Sequence, residues 1–270
     1  MLLSRLRKPI DSYLPFIGRL YRSLRELRAS RPHQTPFGFR LAGDSRMAQA
    51  GYEDVESALF LQCLETHAVV LDIGANIGFY SCLAASRGKH VLAFEPSPRN
   101  QKFLYKNLWE NHFHEVELFP LGLGDRQGLC ALYGFGGISS FIPGWGQTRA
   151  SRYILAPVTT LDTIVGTRFN GLKLLVKMDV EGFELAALRG ASTLLSATPR
   201  PGWMVEIMLR NPLIPNGVNS HFKETFELFW KHGYQCRKLD GSGLSVSPED
   251  VLRWQTSGYV DSDTGSFFFF

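Results

Sequence analysis

Five carboxylates stand within or just beyond short apolar runs: Asp72 in the run 68–73, Glu95 after 90–94, Asp179 and Glu181 after 172–178, and Glu206 inside 203–208. A charge set against apolar sequence costs desolvation free energy, so acids in such places are candidates for binding or reacting. Asp72 and Glu95 flank a small-residue turn, Gly74-Ala75-Asn76-Ile77-Gly78-Phe79. Gly74 and Gly78 let the backbone pass close to a ligand, and a helix starting near Ile77 offers unpaired N–H groups. Glu95, closing the next run, is placed to accept hydrogen bonds from both hydroxyls of a ribose. Two ligand classes compete for this layout. A dinucleotide asks for G-x-G-x-x-G, because its pyrophosphate sits on the helix N-terminus. Here Asn76 replaces the second glycine, and Asp72 would repel pyrophosphate but suits the ammonium of a methionine tail. The turn therefore favours S-adenosylmethionine (SAM) over NAD. The expected binding set is Asp72, Gly74, Ala75, Asn76, Gly78, Phe79, Glu95, Pro96, Gly122 and Asp179.

A SAM site points to methyl transfer. For an alcohol acceptor the enzyme must align the oxygen and take up its proton, because the alcohol pKa lies far above neutrality. Asp179, Glu181 and Glu206 are expected to face the crevice at the C-terminal ends of their strands and to supply that base. The same three acids are also a candidate oxygen-ligand set for Mg²⁺, although direct base catalysis without a metal is the favoured expectation. Lys177 alternates with Asp179 along one strand face and is expected to pair with a carboxylate, and Glu184 reads as an ion-pair or helix-start residue. His221 is a candidate base or a helix cap. The stretch 134–149, rich in Gly and Ser, is too long for a simple connection and reads as a binding loop or lid, with Trp145 a candidate platform for a sugar ring.

The elements that must hold these groups follow from the pattern. Apolar runs at 68–73, 90–94, 116–119, 172–178 and 203–208 alternate with helix-length segments at 77–87, 98–111, 183–196 and 221–232, and a helix precedes them at 53–65. That alternation predicts a parallel, doubly wound sheet, closed by an antiparallel pair at 235–239 and 265–270. Hydrophobic residues make up 44% of the 270, enough for one substantial core. The net charge of +4 is too small to indicate nucleic-acid binding, and it is concentrated in residues 1–31, where eight cations face Asp11 and Glu26. Pro9 and Pro15 divide that segment, and 31–36 reads as a linker. The division expected is a basic amphipathic segment over 1–34, a candidate for peripheral membrane contact through 1–31, and a catalytic domain over 35–270. The four cysteines form no CxxC pair and suggest reduced thiols in a cytoplasmic protein. No secretory signal or membrane-spanning run is expected.

The motifs at 72–78 (DIGANIG), 93–98 (AFEPSP), 159–162 (TTLD) and 177–184 (KMDVEGFE) resemble the FkbM-type SAM-dependent methyltransferases, and the likeness runs from about Thr35 to the C-terminus. It implies a Rossmann-like class I methyltransferase sheet of seven strands, the last antiparallel, and O-methyl transfer to a sugar, a glycan or glycolipid, or another small molecule. The alternatives are a NAD-linked oxidoreductase on a similar sheet, against which Asp72 and Asn76 argue, and a non-catalytic SAM-binding module, which would have no need of its acids.

Overall fold

The computed structural model of the protein describes residues 29–134, 138–210, 217–262 and 264–270. The amphipathic character expected of 1–34, and the membrane contact expected through 1–31, fall almost wholly on residues outside these. The stretch 31–36, expected as a linker, instead enters a hairpin between β1 (His33–Gln34) and β2 (Arg40–Leu41). Thr35 closes it, its N–H and its hydroxyl both donating to the Phe39 carbonyl at 2.8 and 2.7 Å. Helix α1 (Asp54–Leu64) follows.

The central sheet then forms from β3 (Val69–Ile73), β4 (His90–Phe94), β5 (Glu117–Phe119), β9 (Leu174–Met178), β10 (Gly202–Glu206), β11 (Cys236–Lys238) and β12 (Ser266–Phe269), in the order β11-β12-β10-β9-β3-β4-β5. Strands β5, β4, β3, β9 and β10 run parallel, while β12 lies antiparallel between β10 and β11. This is the doubly wound seven-strand sheet expected. Its central strands β3 and β9 are buried on both faces, as parallel strands covered by helices must be. Val69, Leu71 and Ile73 pack with Phe226, Phe229 and Trp254 on one side. Val70 turns to the other, among Phe79, Leu83, Phe103 and Leu104.

Helices α2 (Phe79–Ala85), α3 (Pro98–Glu110) and α7 (Phe222–Lys231) lie where expected to within two residues. The helix expected over 183–196 is two, α5 (Glu184–Arg189) and α6 (Ser192–Leu195). They part at Gly190, where a Cβ would come within 2.0 Å of the Gly124 carbonyl. Five elements were not expected from the pattern. β6 (Gly122–Leu123), β7 (Gly128–Tyr133) and β8 (Tyr153–Thr159) make a small second sheet, with α4 (Leu161–Ile164) after it. Helix α8 (Pro248–Ser257) opens on a capping box between Ser247 and Asp250. Asn107 of α3 pins the first hairpin to the turn after β3: it pairs with the Ala42 N–H and carbonyl and donates to the Ile77 carbonyl at 2.8 Å.

Candidate active site

The turn after β3 is held open by two glycines at positive φ, Gly74 (82°) and Gly78 (90°), with Asn76 between them at 53°. Gly74 has no room for a side chain, since a Cβ would lie 1.8 Å from the Asp179 carbonyl oxygen. The ends of β3 and β9 thus meet directly, and the Asp179 N–H donates to the Ile73 carbonyl. Gly78 is the N-cap of α2, so the helix begins at Phe79 rather than Ile77. Glu95 closes β4 and is 4% exposed. Its two carboxylate oxygens accept from the Asn76 N–H at 2.8 Å and the Ser97 N–H at 2.7 Å. Burial pushes its carboxyl up to about 7 against these stabilising bonds.

A cleft opens above these strand ends, where the parallel strands of a doubly wound sheet carry their ligand sites. Gly74, Asn76, Glu95 and Pro96 line one side, Asp179 and Glu181 the other, and Phe94, Leu121, Phe141 and Phe183 give it flat apolar walls.

Around the far side lies a dense polar cluster. Lys177 is buried at the middle of the sheet, in register with Asp72 of β3, its ammonium 5.2 Å from the centre of the Tyr80 ring. Burial alone would depress the ammonium, but Asp179, Glu53, Glu206 and Asp72 outweigh it and hold Lys177 above its ordinary value. Asp179 and Glu206 lie close enough to titrate as a coupled pair, and both carboxyls are held above their ordinary values. Burial raises Asp179, while Glu206 is driven well up first by the Asp179 charge and then by burial. Glu53, at φ 44°, accepts from the Tyr80 hydroxyl at 2.6 Å.

Glu181 is the most constrained of the acids. Its φ of 53° is a conformation that side-chain-bearing residues rarely adopt outside functional or switch regions. The stretch 138–147 grips it from both ends. The Ser140 hydroxyl donates to its carbonyl at 2.6 Å, and the Trp145 indole N–H donates to its carboxylate at 2.7 Å. Gly182 makes room for that indole, since a Cβ there would strike the ring at 2.6 Å. Burial, aided by the Asp179 charge, pushes the Glu181 carboxyl up to about 7, and the Trp145 bond draws it back. The described residues hold no group of three or more His, Cys, Asp or Glu arranged for a metal ion.

A family model for the methyltransferase FkbM domain matches residues 72–236, from the Asp72 turn to β11. The chain belongs to the FkbM methyltransferase family. The AMB antimetabolite synthetase AmbE of Pseudomonas aeruginosa is 40% identical to it over 80 residues, 29% of this chain and 4% of AmbE. Among solved structures, the FkbM methyltransferase of Methylobacillus flagellatus KT aligns at 21% identity and a TM-score of 0.47, covering 76% of this chain and 44% of its own. A SAM-dependent methyltransferase of Agrobacterium tumefaciens aligns at 13% and 0.45, covering 89% and 69%. The present chain thus spans a small part of AmbE and less than half of the Methylobacillus chain.

The expected residues Gly74, Asn76, Glu95, Pro96, Gly122, Asp179 and Glu181 all line the one cleft. Ala75, Gly78 and Phe79 do not line it. They shape the turn behind it, Ala75 donating to the Phe94 carbonyl at 3.0 Å and Phe79 packing into the core. Asp72, expected to face the ligand, points elsewhere. Strand alternation turns it to the α2 side, where it is buried, accepts from the Ser81 hydroxyl at 2.5 Å and sits at about 6 through desolvation. Glu206 lies behind Asp179 rather than on the cleft wall. His221 is an exposed N-cap of α7, its N–H bonded to the Asn219 side chain, and it is not among the residues that line the cleft. Trp145 is 3% exposed and bonded to Glu181, so it braces that carboxylate and is not an open stacking platform. The pattern gave no sign of Glu53 or Tyr80 in the cluster, or of Phe141 and Phe183 in the cleft.

Proposed function

We propose that this chain is a SAM-dependent O-methyltransferase acting on a hydroxyl of a sugar, a glycan or glycolipid, or another small molecule. The observation that carries the reading is one cleft with acids on both sides: Glu95 with its two oxygens fixed at one wall, Asp179 and Glu181 at the other. The residues fit the cofactor. The Gly74 turn, closed to any side chain, admits a ligand against backbone, Glu95 suits a ribose, the apolar walls suit an adenine, and Asp179 is the acid that a methionine ammonium meets. SAM supplies a methyl group already activated by its sulfonium. The chain supplies placement and a proton acceptor. Glu181, near 7, is poised to take the hydroxyl proton at neutral pH, and Trp145 and Ser140 hold it in place. Asp72 acts behind the site, setting Lys177 and the β3 turn.

Titration calorimetry with SAM and with NAD tests the cofactor assignment. SAM binds, and Glu95→Ala weakens it by about 1–3 kcal/mol through loss of charge-assisted hydrogen bonds. Binding of NAD in preference to SAM, or unchanged SAM affinity in Glu95→Ala, overturns the reading.

A further inference from the structure

The opposite end of the sheet carries a second cleft. It is lined by Lys173, Arg200 and Arg237 together with Gln62, Thr66 and Phe268. Lys173 immediately precedes β9, and Gly202, also on its wall, opens β10. It therefore lies at the N-terminal ends of the parallel strands, whereas the methyl-transfer cleft lies at their C-terminal ends. Five-residue strands at about 3.3 Å per residue put roughly 16 Å of sheet between them.

Among the described residues, none of these three cations has a carboxylate within ion-pair reach, and Glu65 is the one acid on the wall. Like charges gathered in one groove repel unless a counter-charge joins them. Two of the three are also held in place. The Arg237 guanidinium lies 5.0 Å from the centre of the Phe268 ring and 5.5 Å from that of Phe270. Arg200 lies 5.0 Å over Tyr234 and donates to the Gly233 carbonyl at 2.8 Å. Each planar guanidinium keeps further N–H donors, and such pre-oriented forks match the oxygens of phosphate. The cations' field reaches the floor, where Arg237 and Lys173 oppose the burial that raises the Cys63 thiol.

We infer that the groove between Lys173, Arg200 and Arg237 is a binding site for a phosphate ester, separate from the methyl-transfer cleft. Free phosphate compounds and lipid headgroups share that chemistry. Lys173 and Arg200 are exposed, so the Lys173→Gln/Arg200→Gln double variant removes charge without opening the core. Full-length wild type and double variant are titrated calorimetrically with pyrophosphate and with glycerol phosphate, and sedimented with vesicles of phosphatidylcholine alone or with phosphatidic acid. SAM affinity, read at the other end of the sheet, reports whether the fold is intact, and Lys173→Gln alone replaces the double variant if it is not. Soluble phosphate binding that weakens tenfold or more in the variant, with SAM binding unchanged, supports a free ligand. Sedimentation with phosphatidic acid vesicles alone, lost in the variant, supports a lipid headgroup. Wild type that binds neither, or a variant that binds as wild type does, overturns the proposal.

Discussion

Protonation of Glu95 couples cofactor binding to pH. In the free protein its buried carboxyl keeps a proton up to about 7, against an ordinary value of 4.5. The direction follows from the sign. Between these values the folded state holds a proton that the unfolded state has lost, so stability falls as pH rises through this window, by at most roughly 3 kcal/mol from this group. A ribose donating its hydroxyls to the ionised carboxylate reverses the balance and draws the pKa back down, so SAM binding below about pH 7 expels a proton. Affinity then rises by at most about tenfold per pH unit up to about 7 and is level above it. Calorimetry at several pH values, in two buffers of different ionisation enthalpy, reads both the affinity and the proton release. Asp72 and Glu181 also titrate near this range, so Glu95→Gln, which cannot ionise, is measured alongside, and its difference from wild type isolates Glu95. An affinity flat across the window, or a wild-type slope that survives in Glu95→Gln, refutes the reasoning.

Gly74→Ala, whose Cβ would strike the Asp179 carbonyl at positive φ, is expected to cost about 2–5 kcal/mol of stability; an unchanged thermal midpoint would mean that the two strand ends do not pack as described. Trp145→Phe keeps an aromatic ring but removes the donor to Glu181, a bond worth roughly 1.5–3 kcal/mol. The Glu181 carboxyl should rise and carry the acidic limb of the kcat/KM profile to higher pH, and an unmoved limb contradicts its role. Lys177→Met strips the cation from Asp72, Asp179 and Glu206, costing about 3–5 kcal/mol where those acids must ionise. Denaturant unfolding should therefore show a larger loss at about pH 8 than at about pH 6, and equal losses would remove Lys177 from the network.

The parallel sheet and the Gly74–Glu95 turn were legible in the sequence because each rests on a local signal: a five-residue apolar run, a glycine at its end, an acid closing the next run. Asp72 misled because its place in the strand, one residue before Ile73, decides which face it meets, and the turn alone does not state that. Glu206 was readable beside Asp179 from its strand end, but Glu53 and Tyr80 join that network from other segments, which spacing along the chain cannot reveal. Trp145 read as exposed because its neighbours are Gly, Ser and Gln, yet it is buried on Glu181 across 36 residues of sequence. Helix α8 was readable in principle: Ser247-Pro248-Glu249-Asp250 is a capping box with proline at the first turn. The small sheet of β6, β7 and β8 was harder, since Pro157 inside β8 argues against a strand.

The position of the transferred methyl group decides the central claim. Wild type and Glu181→Gln are incubated with SAM carrying a deuterated methyl and with extracted glycans and lipids, and the labelled product is isolated and its linkage assigned by mass spectrometry and NMR. Label on an oxygen, as an alkali-stable ether formed about 10²–10⁴-fold more slowly by Glu181→Gln, is the expected result. Label on nitrogen, carbon or sulfur, or an ether formed equally fast by the variant, contradicts it.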